Sequence, residues 1–170
     1  MELTLIEEKS IQKRVVDLAN EINRSYKDRD DLVFVCVLRG AFLFFSDLVR
    51  ELDIDVETEF IQASSYENGT ENQGLTIKSQ LSNNVRGNTV FIVDDIVDTG
   101  NTMKSLAGIY KDLGAKEVKT IALVCRPTSI NMVDYYGFKI GDEWIYGYGL
   151  DLQSKKRTLK SIKYIEPNVD

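Results

Sequence analysis

The chain has no histidine, only two cysteines and fewer basic than acidic side chains, 21 against 27. Each shortage excludes something. Without histidine there is no histidine-based catalytic triad and no imidazole ligand for a metal. Cys36 and Cys125 both lie in apolar, strand-like runs and form no zinc-type spacing, so both read as buried, inert thiols. No apolar run is long enough to span a bilayer, and the N-terminus lacks a basic stretch followed by an apolar segment. The expectation is a cytoplasmic protein with no membrane partner. A net charge of -6 suits nucleic acid poorly, since that partner calls for a basic face. An anionic substrate would have to be held by backbone dipoles, a metal ion and a few placed cations.

What is present is ordinary in amount and specific in order. The 170 residues suffice for a compact core, and 1–170 reads as a single domain without linker, repeat or low-complexity tract. From Glu7 to about Lys27, Ile11, Val15, Leu18, Ala19, Ile22 and Tyr26 recur at helical spacing. Leu32 to Leu38 is a continuous apolar run, as in a buried parallel strand, and Arg39-Gly40 breaks it. The pattern predicts a helix over 41–52, a strand over 54–63, a polar loop over 64–74 and a strand over 75–81. A turn at 86–88 precedes the next strand, and Gly114 ends the helix that follows it. Residues 118–125 read as another buried strand, with shorter strand-like pieces at 138–140, 143–148 and 162–165. Strands alternate with helices, which predicts an α/β fold with a mainly parallel twisted sheet flanked by helices. Ligands of such sheets bind at the carboxyl ends of the strands, where Arg39-Gly40, Asp94 to Thr102 and Arg126 all fall.

The densest signal is Val90 to Thr102. Four apolar residues lead into Asp94-Asp95, then Ile96-Val97-Asp98, then Thr99-Gly100-Asn101-Thr102, and a helix follows from about Thr102 to Leu113. A strand, carboxylates, a Gly/Thr loop and a helix N-terminus make a site for a sugar phosphate and a metal ion. The loop and first helical turn offer backbone N–H groups to a phosphate. The carboxylates can accept from ribose hydroxyls or hold hydrated magnesium. An idle acidic turn is the plain alternative, but carboxylates placed directly after a buried run are costly unless used. The DDxxD pattern of prenyl-pyrophosphate enzymes belongs on long helices, and Met103-Lys104-Ser105 lacks the glycine a P-loop needs before its lysine.

This motif resembles the phosphoribosyl-pyrophosphate motif of the type I phosphoribosyltransferases, and the likeness extends in order from about Leu32 to Ile165. It is nearest to the hypoxanthine(-guanine) branch. The resemblance implies a small hood region beside the main sheet and a mobile loop. It implies that Asp94 and Asp95 bind the ribose hydroxyls, directly or through Mg2+. Thr99, Gly100, Asn101 and Thr102 would cradle the 5-phosphate, and Asp98 would face N7 of a purine and move a proton. Leu38-Arg39-Gly40 matches a pyrophosphate-holding corner, though strand-Arg-Gly alone is a common turn. Ser65-Tyr66 matches the start of a lid that keeps water from a ribosyl cation. Arg126 stands where similar enzymes place a lysine toward the purine 6-oxygen. Trp144 stands at the base-stacking position, with a core anchor as the plain alternative, and Ile145 would meet the purine edge through its backbone. Asp151 would hold a second magnesium, and Arg157 would contact pyrophosphate.

The implied function is purine salvage: hypoxanthine or guanine plus phosphoribosyl pyrophosphate giving a nucleoside monophosphate and pyrophosphate. The implied assembly is a homodimer or homotetramer. Two alternatives stay open at this point, a xanthine-preferring enzyme and a nucleotide-sensing regulator on the same fold.

Overall fold

The computed structural model describes residues 2–65, 75–78 and 83–165. Its strands are β1 (Glu2–Ile6), β2 (Leu32–Leu38), β3 (Glu57–Ser65), β4 (Leu75–Ile77), β5 (Thr89–Val97), β6 (Glu117–Cys125), β7 (Tyr135–Lys139), β8 (Trp144–Tyr146) and β9 (Ile162–Ile165). Its helices are α1 (Glu8–Ser25), α2 (Phe42–Arg50) and α3 (Asn101–Asp112). Among the described residues a six-stranded sheet has the order β4-β3-β2-β5-β6-β7, and a second sheet has the order β1-β9-β8. The large sheet is parallel except for β4, which runs against β3 at the edge. The small sheet is antiparallel and stands as the expected hood.

Two faces of the sheet build two cores. Phe34, Cys36, Phe91 and Val93 point to one side and pack with α1, α2 and hood residues such as Ile145 and Ile162. Val33, Val35, Val90 and Ile92 point to the other and pack with Met103, Leu106 and Tyr110 of α3. The strict alternation along β2 and β5 is the strand period of two, and both faces are apolar because both are covered. Adjacent central strands β2 and β5 therefore send the chain in opposite directions, through α2 to β3 and through α3 to β6. Such a switch point leaves a crevice at the carboxyl ends. The ladder between β2 and β5 stops at Cys36 and Val93, whereas β6 follows β5 as far as Val97.

Most of the predicted elements occur within a few residues of their expected bounds. The main exception is β1, which the sequence pattern does not mark. Only Ile6 of its residues is buried, and the strand exists through its pairing with β9. The cap of α3 is as expected, with Gly114 N–H donating to Lys111 O at 2.9 Å and Ala115 N–H to Tyr110 O at 3.1 Å. Of the strand expected over 75–81, residues 79–81 lie outside the described residues.

Both thiols are fully buried. Burial, helped by the charges of Asp94 and Asp95, pushes the Cys36 thiol up to about 12, and burial pushes Cys125 up to about 11. Neither should react with a chromogenic thiol reagent in the folded protein at mildly alkaline pH, and both should react once it unfolds. Release of chromophore at the native stage would contradict the burial described here.

Candidate active site

The structure corrects one expectation at the acidic motif. Asp94 and Asp95 do not follow the end of a strand; they lie inside β5, because β6 continues beside them and pairs Asp94 with Ala122 and Ile96 with Val124. They are nevertheless beyond the last pairing with β2, so they sit where the crevice opens. Asp94 Oδ1 accepts from Asp95 N–H at 2.9 Å, and Asp95 Oδ1 accepts from Ile96 N–H at 2.8 Å. Burial pushes the Asp94 carboxyl well above the usual carboxylate range, and repulsion from Asp95 adds to it. Burial also raises Asp95, against hydrogen bonds from its surroundings and the positive charge of Arg157. A pair of crowded carboxylates gains from hydroxyl donors or a cation.

Thr99, Gly100, Asn101 and Thr102 form the turn into α3. Thr99 Oγ1 accepts from Asn101 N–H at 3.4 Å, and Gly100 caps the helix with a φ of 82°. That left-handed conformation suits glycine. A Cβ there would also stand 2.5 Å from the sulfur of Met132. The glycine thus has a reason on the protein side of the loop, apart from any phosphate. The helix N-terminus behind it favours an anion.

At the end of β2 the Leu38–Arg39 peptide bond is cis. Gly40 then passes so close to β5 that a Cβ would fall within the Asp95 carboxylate, and a Cβ on Gly149 would fall on the Gly40 carbonyl. Three segments far apart in sequence thus meet through two missing side chains. Arg157 fastens the same corner, donating to Gly149 O at 2.6 Å and to Asp151 at 2.8 Å. Asp151 also accepts from Ser154 N–H at 2.8 Å. Arg157 and Asp151 are therefore a bonded pair beside Gly40, the corner expected to meet pyrophosphate.

The other half of the crevice gathers Asp98, Arg126 and Trp144. Val97 O accepts from Arg126 N–H at 3.2 Å and from the Ser129 hydroxyl at 2.6 Å, which pins the end of β5 to the turn after β6. Asp98 itself is exposed and accepts from Arg126 Nε at 3.1 Å. The rest of the Arg126 guanidinium donates to Gly141 O and to Glu143 O, the residue before Trp144. Trp144 is 69% exposed, which removes the core-anchor alternative. Ile145 is buried and pairs with Tyr164. Ser65 ends β3, opposite Leu75 of β4. Tyr66 and 66–74 lie outside the described residues.

Sequence reasoning missed Gly149, Tyr148 and Met132. The Gly147-Tyr148-Gly149 alternation was the available signal for a tight turn; nothing in the sequence marks Met132 as the neighbour of Gly100.

Crowded carboxylates and an anion-favouring helix N-terminus at a sheet switch point define a domain for phosphorylated sugars. A profile of the phosphoribosyl transferase domain matches residues 4–153. The hypoxanthine-guanine phosphoribosyltransferase of Bacillus subtilis is 34% identical over 99% of this chain and 96% of its own. A solved hypoxanthine-guanine phosphoribosyltransferase from Bacillus anthracis has a TM-score of 0.88 and 34% identity, covering 96% of this chain and 98% of that one. The bifunctional protein TilS/HprT of Listeria innocua is 37% identical over 97% of this chain, which spans only 26% of that protein. The chain belongs to the phosphoribosyltransferase family, among its hypoxanthine(-guanine) members.

Proposed function

We propose that this protein joins hypoxanthine or guanine to phosphoribosyl pyrophosphate, giving the nucleoside monophosphate and pyrophosphate, as one domain over 1–170. The observation that carries the reading is that Arg126 bonds both Asp98 and the carbonyl of Glu143, the neighbour of Trp144, at the crevice that also holds Asp94, Asp95 and the Gly100 turn. N9 of the base attacks the anomeric carbon, and the bond from that carbon to the pyrophosphate oxygen breaks. Asp94 and Asp95 orient the ribose hydroxyls, and Thr99 to Thr102 hold the 5-phosphate. Asp98 takes the proton that N7 loses. Of five guanidinium N–H groups, Arg126 engages three within the described residues, leaving two for the purine 6-oxygen. Arg39, Gly40 and Arg157 receive the pyrophosphate. Aligning the reactants supplies about 7–11 kcal/mol of such a barrier.

Mg2+ fits this donor set. Among the described residues no three carboxylates cluster, but magnesium is commonly held by one or two carboxylates together with substrate phosphates and water. Asp94 and Asp95 would supply two carboxylates to one ion, and Asp151 would supply one to a second. Bound there, magnesium would neutralise charge on the leaving pyrophosphate.

Trp144 gives a clean separation. Being exposed, it should leave stability nearly unchanged when replaced by alanine. Loss of a stacking face should raise the KM for the base about 5- to 150-fold. Unchanged base affinity would remove Trp144 from the site. Free, buried thiols suit a reducing compartment such as the cytoplasm. Homo-oligomerisation draws support from Phe42 of α2 and Phe60 of β3, large apolar side chains that are both exposed; sedimentation would decide it.

The test of the function is an initial-rate assay with phosphoribosyl pyrophosphate, Mg2+ and, separately, hypoxanthine, guanine, xanthine and adenine. Turnover of 6-oxopurines without adenine is expected. No turnover by folded protein with any of them would overturn the reading, and turnover of xanthine alone would reassign the substrate.

A further inference from the structure

Tyr148 and Gly149 are the central residues of a tight turn. Gly147 N–H donates to Leu150 O at 2.9 Å and Leu150 N–H returns to Gly147 O at 3.2 Å. The φ angles are 50° at Tyr148 and 100° at Gly149, both positive as in a type I′ turn. A bulky residue at positive φ is uncommon. Its backbone is secured, because Tyr148 N–H donates to Leu159 O and Gly149 N–H to Arg157 O, at 2.9 and 2.8 Å. The ring is buried at 8% exposure, and its hydroxyl crosses to α2 to donate to Asp47 Oδ2 at 2.5 Å. The other Asp47 oxygen faces Arg50 at 3.8 Å.

The turn therefore grips the segment after β2 at two points. Gly149 rests on the Gly40 carbonyl, and Tyr148 holds Asp47, one residue on either side of the first turns of α2. Phe42 N–H donates to Arg39 O at 3.3 Å and Gly40 lies against Asp95, so the two contacts from the turn add to a corner already seated on β5 and tie it to the segment that carries Asp151. Asp151 follows directly from the same turn, and its partner Arg157 bonds Gly149 through both backbone and guanidinium. A purely space-filling role would be met by phenylalanine and would not need the hydroxyl.

We propose that Tyr148, acting through Asp47, is a positioning residue that sets the Arg39–Gly40 corner against Asp151 and Arg157, and so governs affinity for the pyrophosphate group. The inference rests on the function proposed above.

The test uses Tyr148→Phe, Asp47→Ala, their combination and Asp47→Asn, which keeps an acceptor. Each is measured for melting temperature, kcat, both KM values and, by calorimetry, binding of Mg2+-pyrophosphate. Tyr148→Phe and Asp47→Ala should each raise the KM for phosphoribosyl pyrophosphate and the Kd for pyrophosphate about 10-fold, the size of one hydrogen bond to a charged group. The double variant should lose no more than either single, since both remove one interaction. Asp47→Asn should stay within about threefold of the parent, and the base KM should move by less than about twofold in every variant. Unchanged pyrophosphate affinity in folded single variants, additive losses, or an equal rise in the base KM would overturn the inference. A parent protein that binds pyrophosphate without turnover would sink the proposed function while the calorimetry still decides the role of Tyr148. A parent that binds no pyrophosphate would sink both.

Discussion

Replacing Asp98 by asparagine is expected to lower kcat about 100- to 10,000-fold, the range over which a positioned general acid or base contributes. The substitution isolates proton transfer. Asparagine has nearly the same shape, and its side-chain oxygen can still accept from Arg126 Nε, which bonds Asp98 at 3.1 Å in the parent. The position is exposed, so no buried group is left unsatisfied and the fold is untouched. The Thr99–Thr102 turn, proposed for the 5-phosphate, and the Arg39–Gly40 corner are held by other contacts, so the KM for phosphoribosyl pyrophosphate should change by less than about threefold. Steady-state kinetics with saturating base separates the two effects. A matched fall in turnover and in phosphoribosyl-pyrophosphate affinity would mean that Asp98 binds rather than moves a proton.

Gly40→Ala should cost activity far more than stability. The new Cβ would occupy the Asp95 carboxylate, which is itself bonded to Ile96 N–H at 2.8 Å. Either Asp95 leaves the position proposed for the ribose hydroxyls or the corner retreats from β5. Overpacking of this kind costs about 1–3 kcal/mol of stability, roughly 2–4 °C in melting temperature per kcal/mol for a chain of this size. The functional loss should be larger, because a misplacement of about 1 Å can cost on the order of 100-fold in rate. Gly108→Ala is the matched control. A Cβ there meets nothing within 4 Å, and in α3 the change should add about 0.5–1 kcal/mol of stability with activity unchanged. An active Gly40→Ala protein with parental kinetics would show that the Gly40–Asp95 approach is not needed.

How much of this was legible in the sequence depended on the range over which each feature is encoded. The alternating faces of β2 and β5 are local, and so is the run from Asp94 to Thr102. One stretch of chain contains both the acids and the helix start they precede. Arg39–Gly40 was readable as a corner, but not the reason for its glycine, which is a carboxylate 55 residues further on and a carbonyl contact from Gly149. Arg126 was readable as a strand-end cation. Its bonds to Gly141 and Glu143 depend on how the chain returns after β7, which no periodicity records. Nothing local in the sequence marks Tyr148, because its partner is 101 residues away. The extent of β5 was misjudged for a related reason. Two adjacent acids signal a strand end in isolation, but a neighbouring strand that keeps pairing overrides that signal.

The hood sheet has its own consequence. It is assembled from the first and last described strands, β1 and β9, with Glu2 opposite Ile165, and β9 in turn carries β8 and Trp144. The two sheets share no strand among the described residues. They do share a core, because Ile145 and Ile162 of the hood pack with Phe34 and Phe91 of the large sheet, so the strand that carries Trp144 is anchored to the sheet that carries the Asp94–Thr102 run. Trp144 itself is exposed on that anchored strand, so exchanging its side chain would change the surface offered to the proposed base while leaving the pairing of β8 with β9 in place.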